Sequence, residues 1–156
     1  MAIPDKIKIE HIKGYHTEDI GHYGPGNQFM AFVVATLPEI FPQDWERHKR
    51  WYAVLHTFDA EGNHLKTDAR FAGTTADGEE AVSVRAWAWL EEMLRGLGPL
   101  VGDDIEAKLF SVQVEDHTFG LVDTSFRSEE GVYYEEVSLL PNDFVFSNPW
   151  DGDYDT

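Results

Sequence analysis

The sequence predicts an α+β fold: a single domain over residues 1–156, with a mainly antiparallel sheet of about six to seven strands and one long helix, at about 78–96, packed on one face. Three observations carry this expectation. Short apolar or alternating stretches recur between turn-forming clusters along most of the chain. One segment alone repeats its apolar residues at three- and four-residue steps. With a single crossover helix in view, parallel winding is disfavoured, because each parallel neighbour needs its own long crossover.

The elements follow in order. Lys6 to Tyr15 sets Ile7, Ile9 and Ile12 against Lys8, Glu10 and Lys13, a strand with one solvated face whose lysines suit an edge. Thr17 to Asn27 carries Gly21, Gly24, Pro25 and Gly26 and reads as a loop. Phe29 to Ala35 is an unbroken apolar run, as expected of a central strand covered on both faces. Pro38 and Pro42 bracket a break. In the segment from Asp44 to Phe58, Trp51, Ala53, Leu55 and Thr57 alternate with Tyr52, Val54, His56 and Phe58; Asp59 to Asn63 then turns the chain and His64 to Phe71 returns as a hairpin partner.

The helix begins near Asp77, which has capping-box spacing to Glu80. Glu79 and Glu80 lie at the positive end of its dipole and Arg95 near the negative end. Val82, Ala86, Trp89, Leu90, Met93 and Leu97 form the stripe that meets the sheet, and Gly96, Gly98 and Pro99 end the helix. Ile105 to Val114, Phe119 to Phe126 and Val132 to Leu140 read as an antiparallel meander turning at Glu115–Thr118 and Ser128–Gly131. Phe144 to Phe146 is a last short strand before an acidic, aromatic tail at about 147–156. One face of the sheet is expected to stay free for binding.

Composition narrows the function. At 42% hydrophobic and 13% aromatic residues the chain is too rich for disorder despite its net charge of −17. Between Val101 and Thr156 fourteen Asp and Glu stand against Lys108 and Arg127 alone. A field of that sign repels nucleic acid and anionic lipid and draws in cationic partners. The basic run Arg47 to Arg50, interleaved with Trp45, Trp51 and Tyr52, does not reverse it, so no nucleic-acid partner is expected. No apolar run is long enough to span a bilayer and the first ten residues carry no apolar leader region, so the expectation is a cytoplasmic protein without a membrane partner, a monomer or homodimer. The chain has no cysteine, which removes disulfides, thiolate metal sites and a cysteine nucleophile.

Enzyme motifs are missing too. The glycines from Gly73 to Gly78 lack the spacing and lysine of a phosphate loop, and neither G-x-S-x-G nor H-E-x-x-H occurs. No cofactor and no catalytic residue is assigned. In size, acidity and lack of such motifs the chain resembles bacterial immunity proteins against nuclease toxins, at the level of composition. That resemblance implies an inhibitor of a basic partner. Glu129, Glu130, Glu135, Glu136, Asp151 and Asp153 would stand in for phosphates, with Tyr134, Trp150 and Tyr154 as aromatic contacts. The bland reading of the same acids is solubility.

Two other readings stay open. His16, Glu18, Asp19 and His22 share one glycine-containing loop and are chemically able to hold a divalent metal for a hydrolase or sensor, although their spacing matches no established ligand set. The carboxylates from Asp151 to Asp155 fall short of a calcium loop. His56 and His64 flank the hairpin turn as either an acid–base pair or a packing pair. The third reading is a small-molecule or scaffold domain with Trp51, Phe58 and Phe71 lining a pocket on the free face of the sheet.

Overall fold

The computed structural model describes residues 2–12 and 19–153. Among them thirteen strands and one α-helix follow in order: β1 (Ile7–Ile9), β2 (Ile20–Tyr23), β3 (Asn27–Thr36), β4 (Arg50–Phe58), β5 (His64–Thr74), α1 (Glu79–Arg95), β6 (Leu100–Gly102), β7 (Ile105–Ala107), β8 (Phe110–Val114), β9 (His117–Asp123), β10 (Phe126–Arg127), β11 (Tyr133–Tyr134), β12 (Glu136–Leu140) and β13 (Phe144–Ser147). Every strand pair is antiparallel. The α+β class holds, but the strands are more numerous than six to seven and divide into four sheets. These are a five-stranded sheet ordered β5-β4-β3-β2-β6, a four-stranded sheet ordered β13-β12-β9-β8, and the pairs β1-β7 and β10-β11.

The alternation on β4 explains the layers. Ala53 and Leu55 face α1 with Phe29, Ala31 and Ala72, where Val82, Ala86, Leu90 and Met93 cover them. Tyr52, Val54 and Phe58 point the other way with Met30 and Phe32, against Phe119 and Leu121 of β9 and Val137 and Leu139 of β12. A period of two on strands buried on both faces therefore builds two cores, one under the helix and one between sheets. The second face of the large sheet, expected to be free, is covered by the four-stranded sheet.

Three local readings also change. Gly21 was expected in a loop but lies in β2, where β6 passes so close that a Cβ at this position would sit 2.0 Å from the Val101 carbonyl oxygen. Its missing side chain is a packing requirement rather than a turn signal. The segment from Ile105 to Val114 is two strands because the chain leaves its partner β1 at Ala107 and joins β9 from Phe110 onward. The helix matches its expected span, but its start does not. Thr74 and Asp77 form the capping box, on a short 3-10 turn at Thr75–Asp77, and Gly78 precedes the first turn of α1.

Candidate functional site: an acidic aromatic hairpin

The chain between β9 and β12 forms a projecting hairpin. The antiparallel register of β9 with β12, Asp123 opposite Val137, continues unchanged into β10 and β11, where Phe126 faces Tyr134 and Arg127 faces Tyr133. Polar side chains take over at the junction. The Ser125 amide donates to Asp123 Oδ1 at 2.9 Å, the Glu136 amide to Ser125 Oγ at 3.1 Å, and the Thr124 hydroxyl to Glu136 Oε1 at 3.1 Å. Thr124 and Ser138 share a further hydroxyl bond of 2.7 Å. Two of these bonds satisfy the Ser125 and Glu136 amides where the β9–β12 ladder gives way to the hairpin, and the other two tie the side chains of Thr124, Glu136 and Ser138 together.

Its tip is closed by local chemistry. The Ser128 amide donates to the Val132 carbonyl at 2.8 Å, and the Ser128 hydroxyl accepts from the Val132 amide at 3.1 Å. Gly131 takes φ +84°, a conformation suited to glycine, and its carbonyl accepts from Arg127 Nη1 at 2.8 Å. Glu129 and Glu130 are thereby held at an exposed tip. Along the arms Phe126, Val132, Tyr133 and Tyr134 are each about half exposed. Phe126 stacks on Tyr134 with ring centroids 5.3 Å apart, and the Arg127 guanidinium lies over Tyr133 at 5.6 Å. The hairpin thus displays half-exposed aromatic rings beside exposed carboxylates.

The remaining expected contact residues divide. Glu135 and Glu136 sit at the base of the hairpin, Glu136 held by Thr124. Trp150 is half buried against the inter-sheet core, its backbone amide donating to the Ser147 carbonyl at 2.8 Å, so it anchors the tail rather than presenting its ring. Asp151 is exposed. Asp153 lies by Glu10, whose carboxyl is raised above its ordinary range first by a hydrogen bond with Asp153 and then by the two negative charges. Tyr154 lies outside the described residues. Sequence reading missed Phe126 and Val132 as surface groups, since both were assigned to strands with a buried face. That these arms form a separate strand pair is seen only in the structure.

Of the metal candidates, His16 and Glu18 lie outside the described residues. His22 Nε2 is 2.9 Å from the Asp104 carbonyl oxygen, and the Asp19 carbonyl accepts from the Ala31 amide at 2.8 Å. Among the described residues no three metal-capable side chains gather.

His56 and His64 do face each other, with ring centroids 6.2 Å apart. Thr67 Oγ1 stands between them, 2.6 Å from His56 Nδ1 and 2.7 Å from His64 Nε2. A hydroxyl has one proton, so Thr67 donates to one ring and accepts from the other. His56 is fully buried and its Nε2 has no hydrogen-bond partner; its ring meets Phe110 edge-on at 4.9 Å. Burial holds the His56 imidazole down to about 3, and the nearby His64 acts in the same direction. Burial lowers His64 as well. The geometry is that of a neutral packing pair.

Trp51, Phe58 and Phe71 do not share a pocket. Trp51 packs on the helix side and donates Nε1 to Thr75 Oγ1 at 3.0 Å, Phe58 is fully buried between the sheets, and Phe71 packs on Tyr52 under the Arg50 guanidinium. A separate cavity of about 780 Å³ gathers Arg47, His48, Arg50, Glu115, Asp116 and His117. Its central charges satisfy one another: Arg50 Nε is 2.7 Å from Glu115 Oε2, and the Tyr52 hydroxyl donates to the same carboxylate at 2.5 Å. Those bonds hold Glu115 below its ordinary range, the Tyr52 hydrogen bond first. Lys49 is likewise engaged, 5.3 Å from the Trp51 ring.

No helix among the described residues is long and apolar enough to cross a membrane. No protein-family model, curated protein or solved structure matches the chain. The functional reading therefore rests on the geometry of the hairpin.

Proposed function

We propose that the protein is a non-enzymatic acidic binding protein that uses the β10–β11 hairpin to engage a basic protein partner, an inhibitor or immunity protein against a nuclease being the form that suits its charge. The observation that carries this reading is the exposure of Phe126, Val132, Tyr133 and Tyr134 on one hairpin beside Glu129 and Glu130. Solubility alone accounts for the carboxylates but not for four half-exposed apolar side chains spread over the two faces of one short hairpin. In this reading the carboxylates speed encounter and select the sign of the partner, and the rings supply the contact that persists.

The test is affinity capture from native lysate at low and at high salt, with the wild type beside a Tyr133→Ala/Tyr134→Ala variant. The expected result is one basic protein retained by the wild type, weakened by salt, and lost from the variant while its melting temperature stays within a few degrees. Equal capture by both chains overturns the assignment to the hairpin.

A further inference from the structure

The large sheet ends on β5, which is bonded to β4 on one side; among the described residues no strand pairs with its outer side. Its ladder with β4 is regular from Lys66 to Phe71, between irregularities that leave out Leu65 and Ala72. A regular free edge of that length presents backbone amides and carbonyls that another strand can join. Its charge also differs from that of the chain as a whole. Against a net charge of −17, β5 carries Lys66 and Arg70 with Asp68 as its one carboxylate. It is therefore a poor seat for the basic partner of the hairpin, and a place where two copies of the chain meet with little like-charge repulsion. Lys66, the kind of residue that guards an edge, stands at one end of the regular stretch rather than in its middle.

We infer that β5 is the interface of a two-fold homodimer, in which the edges of two copies pair antiparallel about Ala69. The strand is complementary to itself in that register. Asp68 of each copy lies opposite Arg70 of the other, and both side chains are on the α1 side of the sheet, since their partners in β4 are Leu55 and Ala53. Within one chain Arg70 Nη2 donates to Asp68 Oδ2 at 3.1 Å, and both side chains are partly exposed. Pairing two copies turns two such ion pairs into a ring of alternating charge. On the other face Phe71, 39% exposed, comes against Thr67 of the second copy, an aromatic and a β-branched residue that pair favourably across strands. Ala69 meets Ala69 with no bulk between them. A slip of two residues either way sets Asp68 against Asp68 or Arg70 against Arg70, so the charges fix the register. The two five-stranded sheets then run on as one, with both helices on the same side, as a two-fold axis normal to the sheet requires.

The experiment is sedimentation equilibrium of the intact chain from about 10 µM to about 1 mM, in about 0.15 M salt to screen the net charge. One strand pair buries less than a standard interface, so a dissociation constant on the order of 100 µM is expected. The mass should rise from 17.8 kDa toward twice that value across the range. Asp68→Arg and Arg70→Asp each set like charges opposite one another and should weaken association by roughly tenfold or more. An equimolar mixture of the two variants brings opposite charges face to face again, so it should regain the dimer, which also shows that both variants fold. The Tyr133→Ala/Tyr134→Ala variant should dimerise as the wild type does. A mass that stays at the single-chain value throughout, dimers that persist unchanged in both single-charge variants, or a mixture that stays monomeric overturns the assignment. So does loss of the dimer in the tyrosine variant, which would place the contact on the hairpin.

Discussion

His56 gives the fold a pH dependence whose size can be worked from its surroundings. The imidazole is fully buried with Nε2 unpaired, and its folded value lies at about 3 against an ordinary 6.5. The unfolded chain therefore binds a proton below pH 6.5 that the folded chain refuses, so the native state loses stability as pH falls from 6.5 toward 3. From that difference the loss attributable to His56 is about 2 kcal/mol at pH 5 and about 3 kcal/mol at pH 4, approaching roughly 5 kcal/mol below both values. Above pH 7 there is no such contribution. Urea unfolding of the wild type and of His56→Leu at pH 7, 5 and 4 isolates it, because every other titrating group is common to both chains. Thr67 keeps His64 as a partner in the variant, so the neutral-pH cost is confined to one lost hydrogen bond and a change of packing. The wild type should lose about 2 kcal/mol more than the variant between pH 7 and pH 5. Parallel pH profiles for the two chains would refute the buried neutral imidazole, as would a His56 ring whose NMR shifts titrate near pH 6.5.

Other predictions address the packing. Gly21→Ala should cost more than about 2 kcal/mol in urea unfolding, because the new Cβ is driven against the Val101 carbonyl and β2 must separate from β6. Leu90→Ala, which empties a fully buried site between α1 and the large sheet, should cost about 3 kcal/mol by the same measurement. Glu115→Gln should cost about 1 kcal/mol at pH 7, the half-exposed pair with Arg50 being partly screened by solvent. Since the folded value of Glu115 is depressed, that contribution is present above its unfolded range near pH 4.5 and is lost as pH falls through the folded value, so wild type and variant should converge in acid.

Those elements whose signals are local were legible in the sequence. The β4–β5 hairpin announces itself through period-two alternation around Asp59 to Asn63, and the helix through its stripe from Val82 to Met93. Phe29 to Ala35 reads as central because both its faces are apolar. The second sheet was legible only as separate strands. Nothing local tells that Phe119, Leu121, Val137 and Leu139 pack on Tyr52 and Val54 rather than on a helix, since that choice is made by tertiary packing. Gly21 misled for a related reason, its cause lying eighty residues away at Val101. Of the candidate surface, the acids and Tyr134 were visible as a composition of charge with aromatics, but their display on a hairpin depends on the change from ladder to side-chain bonds at Thr124 and Ser125. Trp150 reads in sequence both as a contact for a partner and as the residue that docks the tail on the body, and it packs on the inter-sheet core.

The measurement that bears most directly on the hairpin as the binding element is hydrogen–deuterium exchange of the chain alone and with the captured basic protein. Protection concentrated over 126–135, with little change on the outer face of α1, is the result the account predicts. Protection confined to α1 or to β5, with the hairpin exchanging as freely as in the isolated chain, would contradict it.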